Sequence, residues 1–223
     1  LYYTDFRSNV VKYNLSLGSL KNLGSGLAFG YANGSQSIAK FNKPQGLTTD
    51  AEGNVFIADK SNHVIRKVNT AGIVSTYAGA ASPGLFNGAL NSALFNNPSS
   101  VVSDSFGNLF VVDQYDKDNQ SSSQNNPIIR KISAEGIVSS LAGGVSGFAN
   151  GAGLDARFAG PTSMAIDKLG YLFVADRENN VIRVVNTRMY MISPALPAGL
   201  SFDSSNGKIS GSPLANLVRP LTY

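Results

Sequence analysis

A ten-residue segment that occurs three times constrains the fold of this chain more than any other feature. It stands at residues 50–59, 104–113 and 167–176 of the 223-residue sequence. Each copy has Asp at its first position and Gly at its fourth, followed by an apolar run that ends in a second Asp. In tight turns, Asp accepts hydrogen bonds from nearby backbone and Gly adopts positive φ without strain. Each copy therefore predicts a tight turn that leads into a buried β-strand.

The spacing of these copies predicts a repeat architecture, because units of this length stack as solenoids or propellers. A strand in which apolar and basic residues alternate follows each copy, at residues 64–68, 128–132 and 181–185. We expect such alternation in a half-buried strand. A Gly turn then precedes another apolar strand, at residues 73–79 and 137–143.

A connector with its own signature links consecutive units. It carries the turn dipeptide Asn-Gly at residues 33–34, 87–88 and 150–151, and a Phe and a Pro follow each time. A further short strand begins after the Pro. We predict that the repeated aromatic rings fill the space between neighbouring units; they are Phe41, Phe95 and Phe158.

Four short strands per unit, separated by turns, are typical of a propeller blade. Residues 41–79 resemble the NHL repeat, whose Asn-His-Leu signature stands here as Asn62-His63-Val64. The resemblance covers residues 1–188 and implies an all-β fold of NHL-type β-propeller blades. Residues 1–5 match the strand at 55–59, so the first unit is partial. We expect two complete blades and two partial ones.

The blade pattern stops after Arg188. Residues 189–223 contain Leu-Pro-Ala-Gly-Leu-Ser-Phe-Asp and then Asn206-Gly207 before Lys-Ile-Ser-Gly-Ser-Pro. This segment resembles an immunoglobulin-like module that occurs in tandem on microbial surface proteins. Asn-Gly between two short strands predicts a hairpin. A whole sandwich needs roughly 100 residues, so we expect a partial Ig-like β-sandwich hairpin here.

Composition narrows the class of function. Charged residues make up 14% of the chain, well below the usual quarter, and the net charge is +4 without a run of Lys and Arg. The absence of Cys excludes a disulfide framework and thiolate metal ligands. A surface rich in uncharged polar residues is common among secreted proteins, and no apolar stretch is long enough to span a bilayer.

Two kinds of metal site occur in related propellers, and the residues of this chain favour neither. Some NHL-like propellers hold zinc with several His residues, but His63 is the only histidine of this chain. A ring of carboxylates could bind calcium in a central channel, as in lactonase-like propellers. A residue repeated in every blade is usually structural, so we interpret these residues as turn caps; they are Asp5, Asp59, Asp113 and Asp176.

The second full unit carries an insertion at residues 115–126 that is rich in Asp, Ser, Gln and Asn. Its Asp116, Asp118 and Asn119 could chelate a cation, but their spacing does not fit a calcium loop. We therefore interpret the insertion as a solvated loop. It is the one break in the symmetry of the repeats that we identify from the sequence.

A basic set recurs on equivalent strands and raises the alternative of RNA binding, which animal NHL propellers perform. The set lacks interleaved aromatic residues, so we interpret it as solvated strand faces and expect no nucleic-acid partner; it comprises Arg66, Lys67, Arg130, Lys131 and Arg183. Three triplets fit the N-glycosylation sequon, at Asn14, Asn33 and Asn119.

These observations predict a non-enzymatic scaffold or adhesion protein located outside the cell or on its surface, without cofactor, metal or catalytic residues. Protein–protein contacts, self-assembly, neighbouring modules of the same chain and glycans are the expected partners. Exchange of strands through residues 189–223 would produce a surface filament. The alternatives are a six-bladed-propeller hydrolase or lyase and an RNA-binding propeller.

Overall fold

The computed structural model describes residues 1–5, 10–14, 19–25, 29–114, 126–187, 196, 198–203 and 208–212. Within these residues the regular structure consists of β-strands and three single-turn 3-10 helices. The chain divides into two compact units, Leu1–Val185 and Asn186–Tyr223. The sequence pattern places the same division after residue 188.

The strands of the first unit form four sheets, and each sheet is built from strands that are consecutive in the chain. The first two sheets contain β1 (Tyr2–Thr4), β2 (Val10–Asn14), β3 (Ser19–Asn22), β4 (Pro44–Thr49), β5 (Val55–Asp59), β6 (Val64–Val68) and β7 (Val74–Ala78). The next two contain β8 (Gly88–Ala89), β9 (Pro98–Ser103), β10 (Leu109–Asp113), β11 (Ile128–Ile132), β12 (Ile137–Gly143), β13 (Pro161–Ile166), β14 (Tyr171–Asp176) and β15 (Val181–Asn186). The 3-10 helices are Lys60–Asn62, Gly153–Asp155 and Arg177–Asn179.

The strand orders confirm the all-β fold with two complete and two partial blades. The complete blades have the orders β4-β5-β6-β7 and β9-β10-β11-β12, and every neighbouring pair is antiparallel. The first and fourth blades have three strands each among the residues described, β1-β2-β3 and β13-β14-β15. In the third blade, β8 of the preceding connector pairs with β12 and adds a fifth strand.

The turns before β5, β10 and β14 have the geometry that the repeated Asp and Gly predict. The Oδ1 of Asp50 accepts a hydrogen bond from the backbone N–H of Asn54 at 2.8 Å, and Asp104 and Asp167 accept equivalent bonds. The glycines of these turns have φ near +83°, a region that is costly for other residues; the values are +85° at Gly53, +83° at Gly107 and +82° at Gly170. The turn prediction is therefore confirmed.

Each pair of consecutive blades encloses a hydrophobic core, and one Phe from the connector lies in each core. Phe41 packs between the first and second blades, Phe95 between the second and third, and Phe158 between the third and fourth. Their exposed fractions are 0%, 0% and 1%. The side chains around Phe95 come from both adjoining sheets, with Phe56 on one side and Leu109 on the other.

The first strands of successive blades, β4, β9 and β13, pack against one another. The approach of β4 to β9 is close, because a Cβ built on Gly46 would lie 2.6 Å from the Cα of Ser100. The hydroxyl of Ser100 in turn accepts a hydrogen bond from the backbone N–H of Met164 at 3.2 Å. Small side chains therefore let three blades converge on a common axis.

The second unit contains a single hairpin among its described residues. It pairs β16 (Leu200–Asp203) with β17 (Lys208–Gly211) in antiparallel register, with Phe202 opposite Ile209. The pairing predicted around Asn206-Gly207 is confirmed, although those two residues lie outside the described ranges. Across all residues described, no helix is long and apolar enough to cross a membrane.

Replacement of Phe95 by Ala should lower the free energy of unfolding by about 3–5 kcal/mol, because a buried aromatic ring is lost and a cavity remains. Phe106→Ala is the matched control, since Phe106 is 69% exposed in a turn of the same blade, and it should change stability by less than about 0.5 kcal/mol. Urea unfolding monitored by circular dichroism measures both. Equal effects of the two replacements would contradict the packing role of Phe95.

Candidate functional site

A polar cavity of about 430 Å³ lies at the axis of the propeller unit. The starts of the first strands β4, β9 and β13 line it, together with the residues that follow the second strands β5, β10 and β14. Its lining residues are Thr4, Asp5, Pro44, Gln45, Gly46, Lys60, Ser99, Ser100, Gln114, Thr162, Ser163 and Arg177. Since all four blades contribute, the cavity is the place where the repeats meet.

Most residues that line this axial cavity carry a hydroxyl, an amide or a charged group. The hydroxyl of Thr4 donates to the carbonyl oxygen of Gln45 at 2.6 Å, and the hydroxyl of Ser100 accepts from Met164. Ser99 differs from both, because it is 3% exposed and its hydroxyl is buried without a hydrogen-bond partner. A buried polar group that lacks a partner is costly and calls for a functional explanation.

The charges of the cavity break the symmetry of the blades. Lys60, Gln114 and Arg177 stand at equivalent positions, each directly after the repeated Asp of its blade. The expectation that only the insertion breaks the symmetry is therefore wrong. The signal was present in the sequence, since one repeat position beside an invariant Asp carries three different side chains. A repeat pattern is defined by its shared residues, so it does not reveal a position at which the repeats differ.

Of the repeated Asp residues, Asp5 lines the cavity, whereas Asp59, Asp113 and Asp176 do not. Asp59 is fully buried, and its carboxylate accepts three hydrogen bonds inside its own blade. The donors are the backbone N–H of Asn42 at 2.7 Å, the Nδ2 of Asn62 at 2.8 Å and the Nη1 of Arg66 at 2.8 Å. The carboxylate thereby joins the connector, the 3-10 helix and β6.

The guanidinium of Arg66 has further partners in the connector that precedes the blade. It donates to the carbonyl oxygens of Lys40 at 2.9 Å and Ala32 at 2.7 Å, and to the Oδ1 of Asn33 at 2.8 Å. Its centre lies 5.1 Å from the ring centroids of both Tyr31 and Phe41. Cations are attracted to aromatic faces at this distance. We call this Asp–Arg arrangement, with the connector groups it binds, the blade clamp.

The third and fourth blades repeat the clamp. Arg130 lies 3.0 Å from the carboxylate of Asp113, and Arg183 lies 3.2 Å from that of Asp176. In both blades the Arg also donates to two connector carbonyls and one Asn side chain; these partners are Leu94, Phe86 and Asn87 for Arg130, and Arg157, Ala149 and Asn150 for Arg183. One blade clamp thus fastens each connector to the blade that follows it.

Burial sets the electrostatics of the clamp. Loss of hydration raises the pKa of Asp59 and of Asp113, and the Arg and amide donors oppose that rise. Burial also lowers the pKa of Arg130, against the attraction of Asp113. Because both oxygens of each carboxylate accept hydrogen bonds, the geometry fits the ionised form.

The interpretation of the basic set as solvated strand faces is wrong for its arginines. Arg66 and Arg130 are 0% exposed, and the side chain of Arg183 is 10% exposed. Alternating apolar and basic residues predict a strand with one solvent-exposed face, whereas a blade of this protein is covered on both faces. Lys67 and Lys131, one position further on, are half-buried, and the Nζ of Lys67 lies 5.4 Å from the ring centroid of Phe56.

The turn-cap interpretation of the repeated Asp residues is also wrong in its chemistry. Asp59 and Asp176 precede 3-10 helices but make no side-chain capping bond to their backbone. Their carboxylates instead bind the Asn side chain three residues on, at 2.8 Å in both blades. Among the residues described, no group of three or more His, Cys, Asp or Glu is placed to hold a metal ion.

The remaining sequence candidates occupy separate places. His63 closes a 3-10 helix with φ of +58°, and its Nδ1 accepts from the backbone N–H of Asn97 in the next blade at 3.2 Å. Asn33 is exposed and belongs to the blade clamp, and Asn14 ends β2. Asp116, Asp118 and Asn119 lie outside the described residues.

Replacement of Arg66 by Met should lower the free energy of unfolding by about 3–5 kcal/mol, because Asp59 would stay buried without its cation. Lys67→Met removes a neighbouring charge from the same strand and should cost less than about 1 kcal/mol. Urea denaturation of the two variants, side by side with the unchanged chain, measures the difference. A loss that is the same for both would show that Arg66 is as solvated as Lys67.

Two protein families and a mouse protein are similar to parts of this chain in sequence. The family model "NHL repeat" matches residues 41–67, and the model "Putative Ig domain" matches residues 176–223. In the structure, Asp176–Val185 of the second match belongs to the fourth blade. The mouse protein "NHL repeat-containing protein 3" is 30% identical over 140 residues, which are 61% of this chain and 36% of that protein.

Solved structures share the fold. A protein of unknown function from Bacteroides thetaiotaomicron superposes with a TM-score of 0.64 at 22% identity, over 82% of this chain and 43% of the other. An auxiliary nutrient binding protein from Bacteroides ovatus gives a TM-score of 0.60 at 20% identity, over 82% and 44%. The chain therefore spans less than half the length of these relatives. It combines β-propeller blades, one of which matches the NHL repeat, with a segment that matches an Ig-like family model.

Proposed function

We propose that this chain is a non-enzymatic scaffold and adhesion segment of an extracellular or cell-surface protein. One observation carries the proposal: the repeated charged side chains are used inside the blades, where each blade clamp fastens a connector to its sheet. Groups that are buried and paired in this way supply rigidity and are not available to a substrate. Rigid blades present their connectors and axial cavity in fixed positions, as an adhesive scaffold requires.

The composition and the second unit support an extracellular setting. Charged residues are scarce, and the Ig-like segment follows the blades directly. The similar Bacteroides ovatus structure is described as an auxiliary nutrient binding protein, which is a binding function of that protein. We propose by extension that the blades of this chain also act by binding. Surface glycans and neighbouring protein modules are the partners that we propose.

The contacts of the arginines weigh against the RNA-binding alternative. Arg66 and Arg130 are enclosed by their blades, so a phosphate backbone has no access to them. The half-buried Lys67 and Lys131 are then the members of the basic set that remain on strands of the complete blades. Two lysines make a small electrostatic footprint for a nucleic acid.

The hydrolase alternative is tested with the full chain. We expect no acceleration of lactone or p-nitrophenyl ester hydrolysis above the rate in buffer, with or without added Ca²⁺ or Zn²⁺. The reason is that the described lining of the axial cavity holds one carboxylate, Asp5, and lacks histidine, the side chain that most often transfers protons in catalysis. Hydrolysis above background that is lost in Arg177→Ala would place an active site in the cavity and disprove the non-enzymatic proposal.

Self-assembly is a separate part of the proposal and has its own test. Among the described residues, β16 and β17 pair with each other in a two-stranded sheet, and an isolated hairpin is marginally stable in water. We propose that strands of another copy or module complete this sheet. The full chain should then sediment as species larger than 23.4 kDa, and the fraction of these species should rise with concentration.

Ile209→Asp is the variant that tests this assembly, because Ile209 is 48% exposed on β17. It should return the chain to the monomer mass, because an edge strand that carries a charge resists pairing. Ile38→Asp, at a connector position that is 58% exposed, is the control and should leave assembly unchanged. A chain that sediments as a monomer at every concentration would remove the filament hypothesis and leave the scaffold proposal in place.

A further inference from the structure

The axial cavity contains a hydroxyl group that the fold itself does not use. Ser99 lines the cavity and is buried, yet its hydroxyl has no hydrogen-bond partner. The equivalent positions of the neighbouring blades, each directly after the Pro that begins the first strand, are Gln45 and Thr162, and both also line the cavity. Three hydrogen-bonding side chains from three blades therefore converge on one space. A ligand hydroxyl would satisfy the group that the protein leaves unpaired.

The charged groups of the cavity add a second requirement. Its described lining contains two cations, Lys60 and Arg177, and one anion, Asp5. Arg177 also approaches Glu178 at 3.5 Å, but its side chain is 66% exposed, so this pair is weak. The described lining thus carries one more positive charge than negative charge. That balance suits a ligand with a single negative charge.

The size and the chemistry of the lining limit the ligand further. A volume of about 430 Å³ falls in the lower part of the range for small-molecule pockets. The described lining has no aromatic side chain on which a planar base could stack, and it is rich in hydroxyl and amide groups. Such groups both donate and accept hydrogen bonds, as the hydroxyls of a polyol also do.

We propose that the axial cavity binds a small polyhydroxylated monocarboxylate, a ligand of the sugar-acid class. Lys60 and Arg177 hold its carboxylate, and Gln45, Ser99 and Gln114 bind its hydroxyls. The site depends on side chains that differ between blades, so it is independent of the blade clamps and of the scaffold role. A scaffold that carries such a site would recognise acidic sugars at the cell surface.

The test uses sodium gluconate as the probe and isothermal titration calorimetry of the full chain at fixed ionic strength. Gluconate should bind, and sorbitol, which has a comparable set of hydroxyls and no charge, should bind at least about tenfold more weakly. Lys60→Ala and Arg177→Ala should each weaken gluconate binding about tenfold. Lys67→Ala is the matched control: it removes one positive charge outside the cavity and should leave the affinity unchanged.

Ser99→Ala separates a ligand contact from a structural role. It should weaken gluconate binding about 3–10-fold, since one hydrogen bond to the ligand is lost. It should not lower the temperature of unfolding of the free chain, because the hydroxyl of Ser99 has no partner to lose. Ser100→Ala is the comparison for stability and should lower that temperature, because the hydroxyl of Ser100 accepts from Met164.

Four outcomes would overturn the proposal. They are the absence of gluconate binding to the unchanged chain, equal affinity for sorbitol, binding that none of the three cavity variants weakens, and an equal loss in Lys67→Ala. Weaker binding in the cavity variants alone, with stability retained in Ser99→Ala, would support it.

Discussion

The buried ion pair between the Asp that ends the second strand and the Arg of the third strand is the interaction on which the second, third and fourth blades depend. A carboxylate and a guanidinium lose their hydration at this depth, and that cost is offset when the remaining hydrogen-bonding groups have partners. Asp59 and Arg66 meet most of this condition through Asn62, Asn33 and two connector carbonyls, and the Nε–H of Arg66 is the one group of the pair that is buried without a partner. These bonds form only when the connector follows one path. The ion pair therefore fixes the conformation of the connector and also links the second and third strands of the blade.

The position of the clamp explains where the blades can vary. The groups that the second, third and fourth blades share are enclosed by neighbouring sheets and connectors, and the loss of one partner would leave a buried charge unpaired. The residue that follows each repeated Asp lies at the axis, outside the clamp, and differs from blade to blade. Lys60, Gln114 and Arg177 could therefore diverge without disturbing the sheets. The blade clamps keep the fold constant, and the residues that line the axial cavity can differ in their chemistry.

Local sequence signals predicted much of the fold. The Asp and Gly of the turns, the apolar runs of β5 and β10, and the Asn-Gly of the hairpin depend on contacts within a few residues, which a sequence displays directly. The assignment of Arg66 and Arg130 to solvated faces failed for the opposite reason. Alternation of apolar and basic residues indicates a strand with two different faces. Whether the basic face is exposed to solvent depends on the neighbouring blade and connector.

The sequence by itself determined the all-β class, the position of the turns and the Phe of each connector, because a repeated segment shows both its period and its local propensities. Only the tertiary structure decided which side chains share the axis. Gln45, Ser99 and Thr162 each follow the repeated Pro of their blade, but nothing in that pattern shows that they face one cavity together with Thr4. They meet because small residues such as Gly46 let successive first strands approach closely, and that approach is a property of packed sheets.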